Sequence, residues 1–378
     1  MKKCQAKFVF NTMVANEAHC VTQMLESVYR YVDYWVIQDN GSTDGTQDII
    51  RNFFAEKGIP GFLYEIPWSG CMGTNRDHTV QTCLHADHGC DWVVRVDADE
   101  ILVVEDDFDW SVFDDLSIQS FNVTTILGIN KFQRCWLWNA RLPWKFKHDK
   151  RHECVYLDRD DVGEGFQRCN LSEKFRHHLV ATGRTSMNPF KYYLDALELE
   201  RDLLKKNELH TDEYHMYYLG KSYHDNVPQP QLPWGDIHNK ELARRGLFFF
   251  ERYLDKKHDY STTGRPRYND EAGYTALIWM SKLYEVLEDR EAVKSCLKQA
   301  DAFCPRRSEH LKRLAWIYKA EGDYRLMLEC TTKMVHPERT NPYPHYVMFI
   351  EGDSYVDSGN GSVQALHEEA LRLNGQAE

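Results

Sequence analysis

No apolar run in the chain approaches the roughly 18 to 20 residues that a helix needs to cross a bilayer, so the sequence predicts no membrane span. The opening Met1-Lys2-Lys3-Cys4-Gln5-Ala6-Lys7 leads into a short strand-like stretch rather than a signal-peptide core, which predicts a protein that is not exported. CxxC pairs are also missing. The 11 cysteines are odd in number and scattered, which suits reduced thiols in a cytoplasmic compartment better than a disulfide framework. Nor is the chain basic: 46 Lys+Arg against 58 Asp+Glu give a net charge of −12. That balance repels a polyanion and argues against nucleic acid as the main partner. It leaves small anions open, because a divalent cation inverts the local sign of an acidic pocket.

What is present is an ordinary globular composition. With 378 residues, 42% hydrophobic and 28% charged, the chain is long enough for two domains of about 100 to 200 residues each. Its first hundred residues alternate strand and helix patterns. Lys7 to Val14 reads as a strand, and Val21, Leu25, Val28 and Val32 then recur at helical spacing. Tyr34 to Gln38 is a second strand that breaks at Asp39-Asn40-Gly41-Ser42-Thr43-Asp44-Gly45-Thr46, followed by a helix ending near Gly58. Phe62 to Ile66 predicts a third strand, Thr74 to His85 a helix, and Trp92 to Val96 a fourth strand that delivers Asp97-Ala98-Asp99-Glu100. Strands separated by helices imply crossover units and a mostly parallel sheet, hence an α/β fold.

From about Phe190 the pattern is helical, with Tyr193, Leu197 and Leu204 on one stripe of the first helix. A repeat follows. Leu277-x2-Met280-x3-Tyr284 and Leu311-x2-Leu314-x3-Tyr318 are 34 residues apart, and the same offset relates Asp289 to Asp323 and Cys296 to Cys330. An earlier copy stands at Leu219-Gly220-x2-Tyr223. This resembles the tetratricopeptide repeat, a stacked helix pair. The division is therefore 1–190 for the α/β domain, 191–340 for an all-α tetratricopeptide-like domain, and 341–378 for a partly helical tail.

Two acidic motifs follow strands, which is where open α/β sheets bind ligands. In the first, Asp39 can accept from a base N–H or ribose hydroxyls; the competing reading is a plain turn whose Ser42 or Asp44 caps the next helix. In the second, Asp97 and Asp99 alternate at a strand end, so both carboxylates are expected to face one cation, against the alternative of a solvated acidic loop running on to Asp109. His85-x2-His88-x-Cys90 has poor zinc spacing without a second paired element. Trp136, Trp138 and Trp144 are either a stacking surface for acceptor sugars or core.

Together these motifs resemble family 2 glycosyltransferases of the GT-A fold. The resemblance is carried by Val14-Ala15-Asn16-Glu17, Asp39 to Thr46, Asn75-Arg76-Asp77 and Val96-Asp97-Ala98-Asp99-Glu100, with Arg151-His152-Glu153 and Phe175-Arg176-His177-His178 matching later elements of a branch that carries a tetratricopeptide-like tail. It covers about residues 5 to 340, and the chain departs from the branch at Asp77 and Gln38.

The resemblance implies an inverting, metal-dependent transferase that moves a sugar from a nucleotide-diphosphate donor, a UDP-sugar foremost, to a hydroxyl on a glycan or protein acceptor. It places Asp39 at the base, Asn16 and Glu17 along the nucleotide pocket, and Arg76 near base or diphosphate. Asp97 would touch ribose or metal, Asp99 would hold Mn2+ or Mg2+, and His178, in preference to His177, would be a third metal ligand. Glu153 is the expected general base, with Glu100 in reserve. A reading from another class is a protein-interaction scaffold whose helical repeats bind a partner and whose sheet domain is catalytically silent. A third, a sugar nucleotidyltransferase, lacks its glycine-rich basic phosphate loop near the amino terminus.

Overall fold

The computed structural model describes residues 4–128, 130–146, 155–158, 168–180, 182–183, 188, 190–206, 213–227, 236–261, 271–304, 307–335 and 363–377. The chain forms two compact units, Met1–Asn188 and Pro189–Glu378.

In the first unit β1 (Phe8–Val14), α1 (Val21–Val28), β2 (Tyr34–Asp39), α2 (Thr46–Lys57), β3 (Gly61–Glu65), α3 (Met72–His85) and β4 (Trp92–Arg95) follow the pattern read from the sequence. Their strands pair in the order β3-β2-β1-β4, all parallel. Period-two alternation explains the layering: Phe8 and Phe10 enter one core with the buried face of α1, whose Val21, Met24, Leu25 and Val28 line it, whereas Val9 enters a second core with Val80 and Cys83 of α3. Because these strands are parallel, the loops after β1, β2 and β4 gather at one edge.

Beyond β4 the sheet changes character. β5 (Glu100–Val104), β6 (Ser120–Leu127), β7 (Asn130–Asn139), β10 (Arg168–Asn170) and β11 (Phe175–Leu179) extend it. Here β7 runs antiparallel to both β4 and β6, β11 is parallel to β6 but antiparallel to β5, and β10 pairs with β6 off the main path. The whole sheet is therefore mixed: only its first four strands form an uninterrupted parallel run, and beyond them parallel and antiparallel pairs are interleaved. A separate hairpin joins β8 (Trp144–Phe146) to β9 (Val155–Leu157). Trp138 and Trp144 are fully buried, their rings 6.3 Å apart, and Trp144 Nε1 donates to the Asn139 carbonyl at 2.8 Å. These two tryptophans are core, not a sugar-stacking surface.

The second unit is helical: α4 (Lys191–Lys206), α5 (Glu213–Asn226), α6 (Asp236–Ser261), α7 (Glu271–Val286), α8 (Arg290–Phe303), α9 (Glu309–Glu321), α10 (Tyr324–Met334) and α11 (Val363–Ala377). Its 34-residue offset has a physical cause. Asp289 and Asp323 cap the second helix of each pair, accepting from Ala292 N and Leu326 N, both at 3.0 Å. Leu277, Leu311, Leu314, Tyr318, Cys296 and Cys330 are buried at the repeated positions. Gly220 of the earlier copy permits a close crossing, since a Cβ there would lie 2.6 Å from the Phe250 ring of α6. The stripe expected on α4 is corrected: Ala196, Leu199 and Leu203 are buried, while Leu197 and Leu204 face solvent. Two apolar stripes compete in that helix, and packing selects the other one. The last helix belongs to the same core, with Leu366 and Ala370 buried in it.

Candidate functional site

The loop after β2 is knitted to the loop after β1. Asn16, held at φ 59°, accepts from Thr43 N at 2.7 Å and donates its own N–H to Ser42 Oγ at 2.8 Å. Glu17 N donates to Thr46 Oγ1 (2.9 Å), and Ala18 N to Asp44 Oδ2 (3.0 Å). Burial alone would raise the Asp44 pKa, but the Thr46 hydroxyl and the Ala18 and Thr46 N–H groups outweigh it and hold the carboxyl below its ordinary value. The N-cap of α2 is Gly45 rather than Ser42 or Asp44: Asp44 accepts from Thr46 N and Oγ1 at the first helical residue, and Ser42 is spent on Asn16.

Asp39 is fully buried at the end of β2. Its Oδ1 accepts from Gly41 N (2.9 Å), Ser42 N (2.8 Å) and Gln47 Nε2 (3.1 Å), whereas Oδ2 has no partner. One half of this carboxylate is tied by the turn and the other half is not. A buried unsatisfied acceptor of this kind is costly and rarely idle.

The second acidic motif differs from expectation. β4 ends at Arg95, and Asp97 to Glu100 is a turn in which Glu100 N donates to the Asp97 carbonyl at 3.0 Å. The alternation rule for strands does not apply inside a turn, and Asp97 and Asp99 take different partners. Asp97 Oδ1 accepts from the buried Arg95 and Oδ2 from Arg76, each at 3.2 Å. Asp99 Oδ2 accepts from Gly183 N at 3.3 Å, so close that a Cβ at residue 183 would lie 2.8 Å from it.

Glu100 pairs with Arg134 at 2.6 Å and lies 3.4 Å from His177 Nδ1. Burial pushes its pKa up, but the Arg134 charge and His177 more than reverse that and hold the carboxyl well below the usual range. In this structure the Glu100 carboxylate is engaged by Arg134 and His177.

His177, fully buried, is the histidine that meets Glu100. The preferred His178 instead accepts from Arg176 Nε at 3.1 Å, and burial, the Arg176 charge and His177 all lower its pKa. Arg151, His152 and Glu153 lie outside the described residues. His85 Nδ1 lies 2.6 Å from the Gln81 carbonyl, and the two ring nitrogens of His88 meet the Cys83 carbonyl and Cys90 N.

Of the cation ligands that the resemblance implies, Asp97 has one guanidinium hydrogen bond on each of its oxygens. Asp99 fits in donor chemistry, as a hard oxygen ligand beside Cys20 and the Gly183 N–H. Sequence reasoning missed His19 and Cys20, whose ligand atoms lie with those of Glu17 within 4.8 Å of one another. It also missed Arg95 and Arg134, which have no local motif. Burial first, then Glu17, pushes the Cys20 thiol up to about 12. Cys20 Sγ donates to Glu17 Oε2 at 3.3 Å, and His19 Nε2 lies 2.7 Å from the Thr182 carbonyl. The ten described cysteines are free thiols, and among the described residues no helix is long and apolar enough to cross a membrane.

No family model matches the chain, and no curated protein does. Among solved structures it is similar to the crystal structure of MamA protein, with 14% identity and a TM-score of 0.27 over 49% of this chain and 80% of that one. A likeness that small bears on neither fold nor function.

Proposed function

We propose that the chain is an inverting glycosyltransferase of the GT-A, family 2 type, transferring a sugar from a nucleotide diphosphate, uridine diphosphate foremost, to a hydroxyl of a glycan or protein acceptor. The observation that carries this reading is Asp39: a buried carboxylate at the carboxyl end of a parallel strand, with Oδ1 fixed by the turn and Oδ2 unpartnered. A base N–H or a ribose hydroxyl is the donor that such an acceptor lacks. The knitted loops of Asn16 to Ala18 and Gly41 to Asp44 hold the surrounding backbone in place before ligand arrives.

A divalent cation bound at Asp99 would supply charge compensation for the leaving diphosphate. Glu153 remains the proposed base. The experiment is calorimetric titration of the full chain with uridine diphosphate in manganese buffer. Wild type should bind, and Asp39→Asn should bind about 10- to 100-fold more weakly, as expected for loss of a hydrogen bond to a charged acceptor. Equal affinity of the two proteins would overturn the reading.

The scaffold alternative has one observation of its own. Leu204 and Phe248 are exposed beside a groove of about 470 Å³ on the helical unit, lined also by Phe249, Glu241 and Arg244. A folded chain that binds no nucleotide diphosphate under any metal condition would favour it.

A further inference from the structure

Glu17, His19 and Cys20 stand in one tight turn at the entry to α1. Cys20 N and Val21 N both donate to the Glu17 carbonyl, at 3.0 and 2.8 Å, while Glu17 N and Ala18 N are tied to Thr46 Oγ1 and Asp44 Oδ2. The backbone is fixed from both sides. On it sit a carboxylate, an imidazole and a thiol, and no two of their ligand atoms are more than 4.8 Å apart. Tetrahedral zinc, with Zn–S of about 2.3 Å and Zn–N or Zn–O of about 2.0 to 2.2 Å, requires ligand separations of roughly 3.4 to 3.6 Å. Cys20 Sγ and Glu17 Oε2, at 3.3 Å, already stand that close.

Thr182, 163 residues along the chain from His19, serves two of the three side chains. Its carbonyl can only accept, so His19 Nε2, 2.7 Å away, carries the proton and in the neutral ring Nδ1 keeps the lone pair. Its side chain hydrogen-bonds Cys20 and favours the thiolate. A group outside the triad thus sets the imidazole tautomer and supports the sulfur, the part that outer partners play around metal ligands.

We propose that Glu17, His19 and Cys20 form a zinc site, with a carboxylate oxygen, imidazole Nδ1 and the thiolate as three protein ligands and water in the fourth position. Binding forms one Zn–O, one Zn–N and one Zn–S bond, and the Cys20 thiol proton passes to solvent. Burial and Glu17 keep the metal-free thiol protonated; a cation placed between sulfur and carboxylate removes the second of those causes. Two formal negative charges then offset the ion. Thiolate and imidazole select Zn2+ over Mn2+ or Mg2+, which prefer oxygen ligands. Neither a cation at Asp99 nor a sugar donor is needed for this site.

The test uses the full chain, stripped with EDTA, desalted, and titrated with Zn2+ alone against a chromophoric zinc chelator. Wild type should hold one zinc that His19→Ala and Cys20→Ser each bind at least about 100-fold more weakly, since loss of an outer partner alone costs about 10- to 100-fold. Thr182→Ala removes the hydroxyl near sulfur and keeps the carbonyl on His19, and should weaken binding about 10-fold. Co2+ in place of zinc should give a thiolate-to-cobalt charge-transfer band that Cys20→Ser abolishes. Cys20 is buried, so circular dichroism accompanies its variant; His19 is exposed and carries the test alone if Cys20→Ser unfolds.

No zinc uptake by wild type, or equal affinity in wild type and His19→Ala, overturns the inference. A cobalt band that survives Cys20→Ser belongs to other cysteines and overturns it as well. Excess Mn2+ should leave the zinc in place; ready displacement would mean a set of oxygen ligands and no zinc site here.

Discussion

Both units bury charge, and they do so to different ends. In the helical unit Arg307 and Glu309, exposed to only 1% and 3%, form an ion pair; the same carboxylate also accepts from Tyr274 OH (3.0 Å) and Ser308 N (3.1 Å). The network runs on through His310, whose ring nitrogens lie 3.1 Å from Tyr274 OH and from Asp301 Oδ1. At the strand ends of the sheet unit the sums do not close. Asp39, fully buried, keeps Oδ2 without a hydrogen-bond partner. Where burial is matched group for group, charge specifies packing; where it is left in surplus, the fold holds a place for something else.

The sharpest way to break this comparison is to open the closed network. Arg307→Met removes one partner of a buried ion pair, an operation that costs about 3 to 5 kcal/mol. In a unit of this size each kcal/mol corresponds to about 2 to 4 °C, so the melting transition of the helical unit should fall by roughly 6 to 20 °C. Affinity for a nucleotide diphosphate, measured by calorimetry below that transition, should not move. Asp39→Asn should show the reverse pattern, and that crossed result is what the comparison requires. A variant of Arg307 that lost nucleotide affinity while keeping its melting temperature would undo it.

A second cut tests packing without charge. Gly220→Ala on α5 would drive a methyl to 2.6 Å from the Phe250 ring, and neither backbone can yield without disturbing α6. Overpacking of this kind costs about 1 to 3 kcal/mol. Chemical denaturation should report that loss, again with ligand affinity untouched.

The same contrast explains which parts of the molecule the sequence discloses. The first four strands and three helices are legible because apolar period and turn residues are local signals: Gly58, at φ 68°, ends α2 where a glycine was expected to. The repeat offset is legible because a capping aspartate and its buried leucines recur at fixed spacing. Partnership between distant charges is not. Nothing near Glu100 announces that Arg134, 34 residues on, will neutralise it. The two hydrogen bonds that turn Asp97 to Glu100 away from strand geometry, Glu100 N to the Asp97 carbonyl and Asp97 N to Glu100 Oε2, have no residue signature either, so two carboxylates that look paired on paper part company in space. On α4 the sequence offers two apolar stripes, and only packing against the neighbouring helices decides between them.

The smallest expected effect is the most demanding of the repeat itself. Asp289 and Asp323 are equivalent caps, each accepting at 3.0 Å from the backbone N–H three residues on. Loss of a cap of this type costs about 0.5 to 2 kcal/mol. If the two helix pairs are copies of one unit, Asp289→Ala and Asp323→Ala should lower stability by similar amounts. The sites are 34 residues apart in sequence and share no partner, so the double variant should lose close to the sum. Denaturant titration of the three variants measures both quantities. Unequal single losses would mean that the copies share a motif and not an environment. A double loss well short of the sum would mean that one helix pair already unfolds without the other, as nearest-neighbour stacking permits once an interface is weak.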